Sequence, residues 1–280
     1  MVRLLEVELN FHSAPASEES TDMPVEFSEI ALAERFVERH RNGWRYCAAM
    51  GKWFRWTGNV WIPDDTLMAY DNDRSICRAA SSEVHARVMA DEDDDTKAQR
   101  AAGAIAQAST VAAVEKLAKS DRAHAITVSA LDADPWTLNT PSGLIELRSG
   151  QLRPADPLAY CTKITGAGVG TSCDTWWQFL DDVTCRDASM MRYLQTVAGY
   201  FLTGDTREHA LFFVHGPGGN GKSVFVNVLA SILGGYATTA AMETFVVSGS
   251  DKHPTDLAML RGARLAIATE TEEGRRWAES

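Results

Sequence analysis

The run "FFVHGPGGNGKS", residues 212–223, passes from large apolar side chains into glycines and ends on a lysine and a serine. Gly216-Pro217-Gly218-Gly219-Asn220-Gly221-Lys222-Ser223 satisfies G-x-x-x-x-G-K-[ST], a pattern with meaning only between a strand and a helix. Both neighbours are expected: Ala210–His215 reads as a short buried strand, and Val224–Leu233 as an apolar helix stopped by Gly234 and Gly235. In that setting the glycines let backbone N–H groups wrap an anion and the helix N-terminus adds partial positive charge. Lys222 would then reach the β and γ phosphates, and the Ser223 hydroxyl would ligate Mg²⁺. The competing reading is a glycine turn that feeds a helix by chance, which gives no reason for a lysine and a serine at a buried helix start. The stretch therefore predicts a site for a nucleoside triphosphate, with ATP and Mg²⁺ as cofactors.

Such a site also needs an acid at the end of a neighbouring strand, to hold the metal and polarise water. Downstream, "RLAIATETEEG" predicts a strand over 265–268, after a short helix near Thr255–Leu260. Glu270 stands where that strand runs out and is the expected catalytic and metal acid, with Glu272 next; the alternative is that these glutamates only solvate a loop.

Upstream, Trp176, Trp177, Leu180 and Val183 recur at helical spacing. A second helix is expected from an Asp187 N-cap through Met191, Leu194, Val197 and Ala198 to a stop at Gly204. Both tryptophans read as core. "LNTPSGLIELRSGQLRPADP", residues 138–157, sets Gly143 and Gly150 on either side of a short Leu144–Leu147 strand, a hairpin signature. The Ala-rich stretch Lys97–Lys119 follows an acidic run at 91–95 and reads as one helix with a solvated acidic start rather than a metal cluster.

"WRYCAAMGKWFRWTGNVWIPDD", residues 44–65, predicts a three-stranded meander turning at Gly51 and Gly58-Asn59. Its mixture of Lys52, Arg55, Trp53, Trp56 and Trp61 suits base stacking in single-strand binders. Packing is preferred, since Trp53 and Arg55 share one strand face and Phe54 and Trp56 the other. A helix is expected over Ser28–Arg41, after a flexible Ser/Glu/Pro-rich lead-in. His209 and His215 beside the phosphate loop read as structural, and Arg207 as a helper arginine facing a neighbouring subunit is the less favoured reading.

The chain has 280 residues, 45% hydrophobic and 23% charged, enough for about two globular domains. A net charge of −11 speaks against a cation-coated surface, so nucleic acid would have to be gripped by a local groove or a ring of copies. The five cysteines form no C-x-x-C pair, which disfavours zinc and suits a reducing compartment. The N-terminal residues lack a signal-peptide core and no segment approaches a membrane span, so a cytoplasmic location without membrane contact is expected.

The phosphate loop, the acid motif about fifty residues later, the helical stretch from Trp176 and the hairpin at 138–154 together resemble the phage and plasmid primase-helicase family, superfamily 3 DNA helicases of the satellite-phage and poxvirus type. The resemblance spans roughly residues 27–280. It implies an α/β architecture in three parts: a flexible segment 1–26, a mixed α+β helical module with hairpins over 27–205, and an incomplete AAA+-like P-loop NTPase domain over 206–280. It also implies an ATPase acting on single-stranded or forked DNA, with other copies of the chain in a hexameric ring and other replication proteins as partners. Lys222, Ser223 and Glu270 carry over as the phosphate lysine, metal ligand and acid. The family's DNA-gripping loop, sensor strand and completing arginine have no counterpart before Ser280. A truncated frame is therefore expected, with unpaired strand edges and weak turnover on its own. A small-molecule P-loop kinase would need an arginine-bearing lid downstream, and a non-catalytic nucleotide- or DNA-binding adaptor is the third alternative.

Overall fold

The computed structural model describes residues 25–89, 95–241 and 260–268. Helix α1, Glu29–His40, starts where the Ser28 hydroxyl accepts a hydrogen bond from the Ala31 amide at 3.3 Å, satisfying one of the free N–H groups of a first turn. Leu32, Ala33 and Phe36 recur on one stripe and are buried. The chain then turns into β1, Trp44–Cys47, β2, Lys52–Trp56, and β3, Trp61–Pro63, an antiparallel meander in register Trp44 to Arg55 and Trp56 to Trp61. Gly51 takes the left-handed conformation that the first turn requires.

Helix α1 and three more helices share a core with one face of this sheet: α2, Met68–Met89, α3, Asp95–Ile105, and α4, Ala108–Ser120. Trp44 and Trp53 pack into their core with Phe36, Ile76, Val84, Val111 and Val114. The opposite face, with Phe54, Trp56 and Trp61, is closed by Ile126, Val128, Leu131 and Tyr160. Packing of the tryptophans, preferred over base stacking, is thus what the sheet shows.

The single helix expected over Lys97–Lys119 is two. Helix α3 ends beside Gly103, and the Thr110 hydroxyl takes the Ala104 carbonyl at 2.8 Å, ending one helix while Gln107 opens the next in an extended conformation. The break lets Ile105 on α3 and Val111, Val114 and Ala118 on α4 all reach the same core. The acids at 91–94 lie outside the described residues; Asp95 begins α3.

A second meander, β4, Thr137–Thr140, β5, Gly143–Glu146, and β6, Gln151–Arg153, follows the hairpin pattern in the sequence. Then come α5, Asp174–Val183, and α6, Ala188–Phe201, whose Asp187 carboxylate accepts from the Ser189 and Met190 amides as the expected cap. Helix α7, Lys222–Leu233, leads to β7, Ala237–Thr239, which pairs in parallel with β8, Leu265–Ile267. Seven α-helices and small, mostly antiparallel sheets thus make a mixed α/β architecture among the described residues. No helix among them is long and apolar enough to cross a membrane.

The strand expected at Ala210–His215 is absent. These residues take no regular secondary structure, and their backbone bonds to no other described residue. A strand persists only as part of a ladder, and β7 and β8 pair with each other instead. The helix expected at Thr255–Leu260 lies outside the described residues except for Leu260, which is in a turn.

Candidate functional site

Helix α7 repeats Phe225, Leu229 and Leu233 every four residues, and these form its buried stripe. The first two pack on Leu180 together with Trp176, Phe179, Met191 and Leu194, so α7 is seated on α5 and α6. Trp176 stacks between Phe179 and Phe225, with ring centroids 5.2 and 5.6 Å away. Trp177, expected in the core with it, is 40% exposed instead, because the next position of α5 points away from that stripe.

The N-terminus of α7 is pressed against α5. Gly221 caps the helix at φ +84°, and a Cβ there would meet Val183 Cγ1 at 2.6 Å and Phe179 Cε2 at 3.2 Å. Only glycine meets both the backbone angle and the close approach. At the other end, residues 163–166 strap across the helix terminus: the Gly166 amide donates to the Ile232 carbonyl and the Gly235 amide to the Ile164 carbonyl, both at 2.9 Å. Helix α7 is therefore held at both ends by residues that precede it in the chain.

Three side chains fasten β7 and β8 to the same support. The buried Tyr236 hydroxyl accepts from the Asn139 amide at 3.2 Å, and burial pushes its phenol pKa up. Asn139 Nδ2 in turn donates to the carbonyls of Asn59 and Lys163, at 2.8 and 3.0 Å. Arg264 at the edge of β8 stacks over the Tyr236 ring, 4.4 Å from its centroid, and donates to the carbonyls of Leu202 and Thr137. Burial lowers its pKa, but a guanidinium starts from so high a value that it stays charged. A cavity of about 170 Å³ lies at this seam, lined by Asp132, Asp134, Arg153, Cys161 and Arg264. All three aspartates that line it accept from nearby backbone amides: Asp132 from Thr162, Asp134 from Trp136 and Asp156 from Leu158.

The phosphate loop, Gly216–Ser223, crosses from the exposed segment to α7 with Gly216 at φ +142°, Gly219 at +76° and Gly221 at +84°. Positive φ at all three positions is backbone that glycine adopts without strain, and it lets a short loop turn into the start of α7. Lys222 Nζ donates to the carbonyls of Gly216 and Pro217, both at 2.8 Å, and to Asn220 Oδ1 at 2.7 Å. Ser223 is exposed in the first helical turn. Of the site residues expected from the sequence, Gly216, Pro217 and Asn220 are thus brought onto the Lys222 ammonium group. Glu270 and Glu272 lie outside the described residues; β8, three residues upstream of Glu270, is in place. Among the described residues no group of three acidic, histidine or cysteine side chains is arranged to hold a metal ion.

Arg207 pairs with Asp205 at 2.6 Å, and His215 stacks on Phe213 at 5.9 Å, so neither is poised over the loop. Sequence reasoning missed Asp73 on α2, which is fully buried with both carboxylate oxygens unpartnered. Burial first, and then the nearby Glu115 charge, push its pKa up to about 8, against a partial opposing effect of Lys119. It also missed the Asn139, Tyr236 and Arg264 links, which join residues far apart in the chain.

A search of curated proteins finds no match to the chain. The profile of the family described as D5 N terminal like matches residues 33–185, more than half of the chain, ending at the close of α5. The chain belongs to the D5 N-terminal-like family, the N-terminal domain of D5-like phage and viral primase-helicases.

Proposed function

We propose that this chain is the nucleotide-binding part of a superfamily 3 type primase-helicase that works in phage, viral or plasmid DNA replication. The observation that carries the reading is the glycine loop at 216–221 closing on α7 with the Lys222 ammonium at its centre, on a chain whose N-terminal module belongs to the D5-like family. In this reading residues 206–280 form the P-loop NTPase part. The loop amides and Lys222 hold the phosphates of ATP, Ser223 and Glu270 hold Mg²⁺, and Glu270 orients the attacking water. Bound Mg²⁺ neutralises charge on the triphosphate and so lowers the barrier to phosphoryl transfer. Helices α5 and α6 hold the loop from behind, and the strap at 163–166 and the Tyr236 and Arg264 contacts tie the nucleotide-bearing part to the D5-like module. Movement of one relative to the other would transmit hydrolysis to single-stranded or forked DNA, with copies arranged in a ring alongside other replication proteins in the cytoplasm.

The test is calorimetric titration of Mg·ATP into the wild-type chain and Lys222→Ala, followed by hydrolysis assays with and without single-stranded DNA. Micromolar binding that falls at least 100-fold in the variant supports the site; equal binding by both proteins refutes it. Binding without turnover would favour the non-catalytic nucleotide-binding reading.

A further inference from the structure

An ammonium group has three N–H donors, and in Lys222 each has a partner within the loop: the Gly216 carbonyl, the Pro217 carbonyl and Asn220 Oδ1. Two of these acceptors stand at the start of the loop and one near its end, so the lysine closes the loop on itself. Asn220 supplies the sole side-chain acceptor of the three. Its Nδ2 is turned to Gly216, where a Cβ would come to 2.8 Å of it, so the amide lies across the mouth of the loop.

We propose that Asn220 is a positioning residue that holds Lys222 in a closed resting state, which a triphosphate must open by taking the ammonium for itself. The inference rests on the nucleotide-site reading for its ligand but on the loop contacts for its geometry. A neutral amide fits the task. Its oxygen accepts from the ammonium, yet it presents no negative charge to an incoming phosphate, as an aspartate would. Ligand affinity falls by the fraction of time the loop is closed, so weakening the closed state strengthens binding. Removing one charge-assisted hydrogen bond from the resting state is expected to tighten nucleotide binding about 5-fold. Asn220→Asp would act in the other direction, weakening it at least 10-fold by pairing with Lys222 and repelling the phosphates.

Two measurements on the 280-residue chain test this. The first needs no nucleotide: in a ¹⁵N–¹H spectrum, the Lys222 ammonium, identified by its loss in Lys222→Arg, is expected to show a slowly exchanging signal that broadens away in Asn220→Ala. The second is calorimetric titration of Mg·ATP into wild type, Asn220→Ala and Asn220→Asp, with expected affinities in the order Ala, wild type, Asp. An ammonium signal absent from wild type, or indifferent to Asn220→Ala, overturns the proposal whatever ATP does. If wild type binds ATP and Asn220→Ala binds it equally or more weakly, the resting contact does not compete with nucleotide and the proposal fails while the site stands. If the signal responds as expected but no variant binds ATP, the lysine clasp is supported and it is the nucleotide reading that falls.

Discussion

Residues 53–61 and 211–214 are both rich in large apolar side chains, but Trp61 is 1% exposed and Phe213 is 65% exposed. The first group lies in a meander whose strands satisfy one another's backbone, with helices α1 to α4 sharing the core on one face and the Ile126–Leu131 and Tyr160 segments over the other. The second group approaches the phosphate loop with no ladder to any described residue. Burial here is decided by the elements on either side of a segment, and the amino acids in it supply only the demand. The molecule thus has a closed module before residue 165 and an open approach to its candidate site.

The sharpest contrast is a truncation within the closed module. Trp61 donates from Nε1 to the Pro157 carbonyl at 2.9 Å, stacks near Trp56 and lies under the Arg45 guanidinium. Trp61→Ala is expected to cost about 3–5 kcal/mol in chemical denaturation, through the cavity and the orphaned carbonyl. A loss under 1 kcal/mol would mean that this face is not a core at all.

Within the same module, Asp73 is the point where closure is least favourable. Its proton is held to about pH 8 when folded and released near pH 4 when unfolded, so folding takes up a proton between those values. Stability from this group is fully present below about pH 4 and is lost as pH rises to about 8, with a total on the order of a few kcal/mol. Glu115 and Lys119 on α4 pair with each other at 2.8 Å beside it, and Cys77 on its own helix has its thiol pushed up to about 11, chiefly by burial. Asp73→Asn is expected to flatten the fall in denaturation free energy between pH 5 and 8 and to raise stability at pH 8. An unchanged slope would show that water or a structural change relieves the carboxylate.

What could be read in advance divides along the same line. Asp187 was legible as a cap because capping is settled within three residues of the chain, and Ser28, read as the first residue of a helix, caps it in the same way. The two meanders were legible because Gly51, Gly143 and Gly150 occupy left-handed turn positions. The turns of the 216–221 loop follow the same rule, with Gly216, Gly219 and Gly221 at its positions of positive φ. Helix α2 escaped notice because its buried face, Ala69, Asp73, Ile76, Cys77, Ala80 and Val84, has only two large apolar side chains among small ones and an aspartate, a weak stripe. The break between α3 and α4 depends on both reaching a core shared with α2, and the Ala210–His215 strand on a partner, neither of which is local information. The three acceptors of Lys222 could not be read either, since a motif names the ligand's partners and not what they hold before it arrives.

A smaller effect is expected at the joint between the two regions. Gly166 passes so close to the end of α7 that a Cβ would collide with the Ser231 carbonyl, while its amide bonds Ile232. Gly166→Val is expected to force the strap off the helix terminus at a cost of about 1–3 kcal/mol. Hydrogen exchange should then speed up in the last turn of α7 and not in β1–β3. Acceleration throughout the meander would mean that the closed module depends on the helix it supports.

The smallest expected effect is in the open region itself. Phe213→Ser replaces a side chain that lies mostly in water, so unfolding free energy should move by no more than about 0.5 kcal/mol. Leu211 and Val214 are exposed beside it, and a contiguous apolar strip of this kind favours association between molecules. Sedimentation of the variant should therefore show less self-association than wild type at equal concentration. A destabilisation above 2 kcal/mol would overturn the contrast between the two regions: it would mean that Phe213 is covered in solution, and that the approach to the phosphate loop is as closed as the meander.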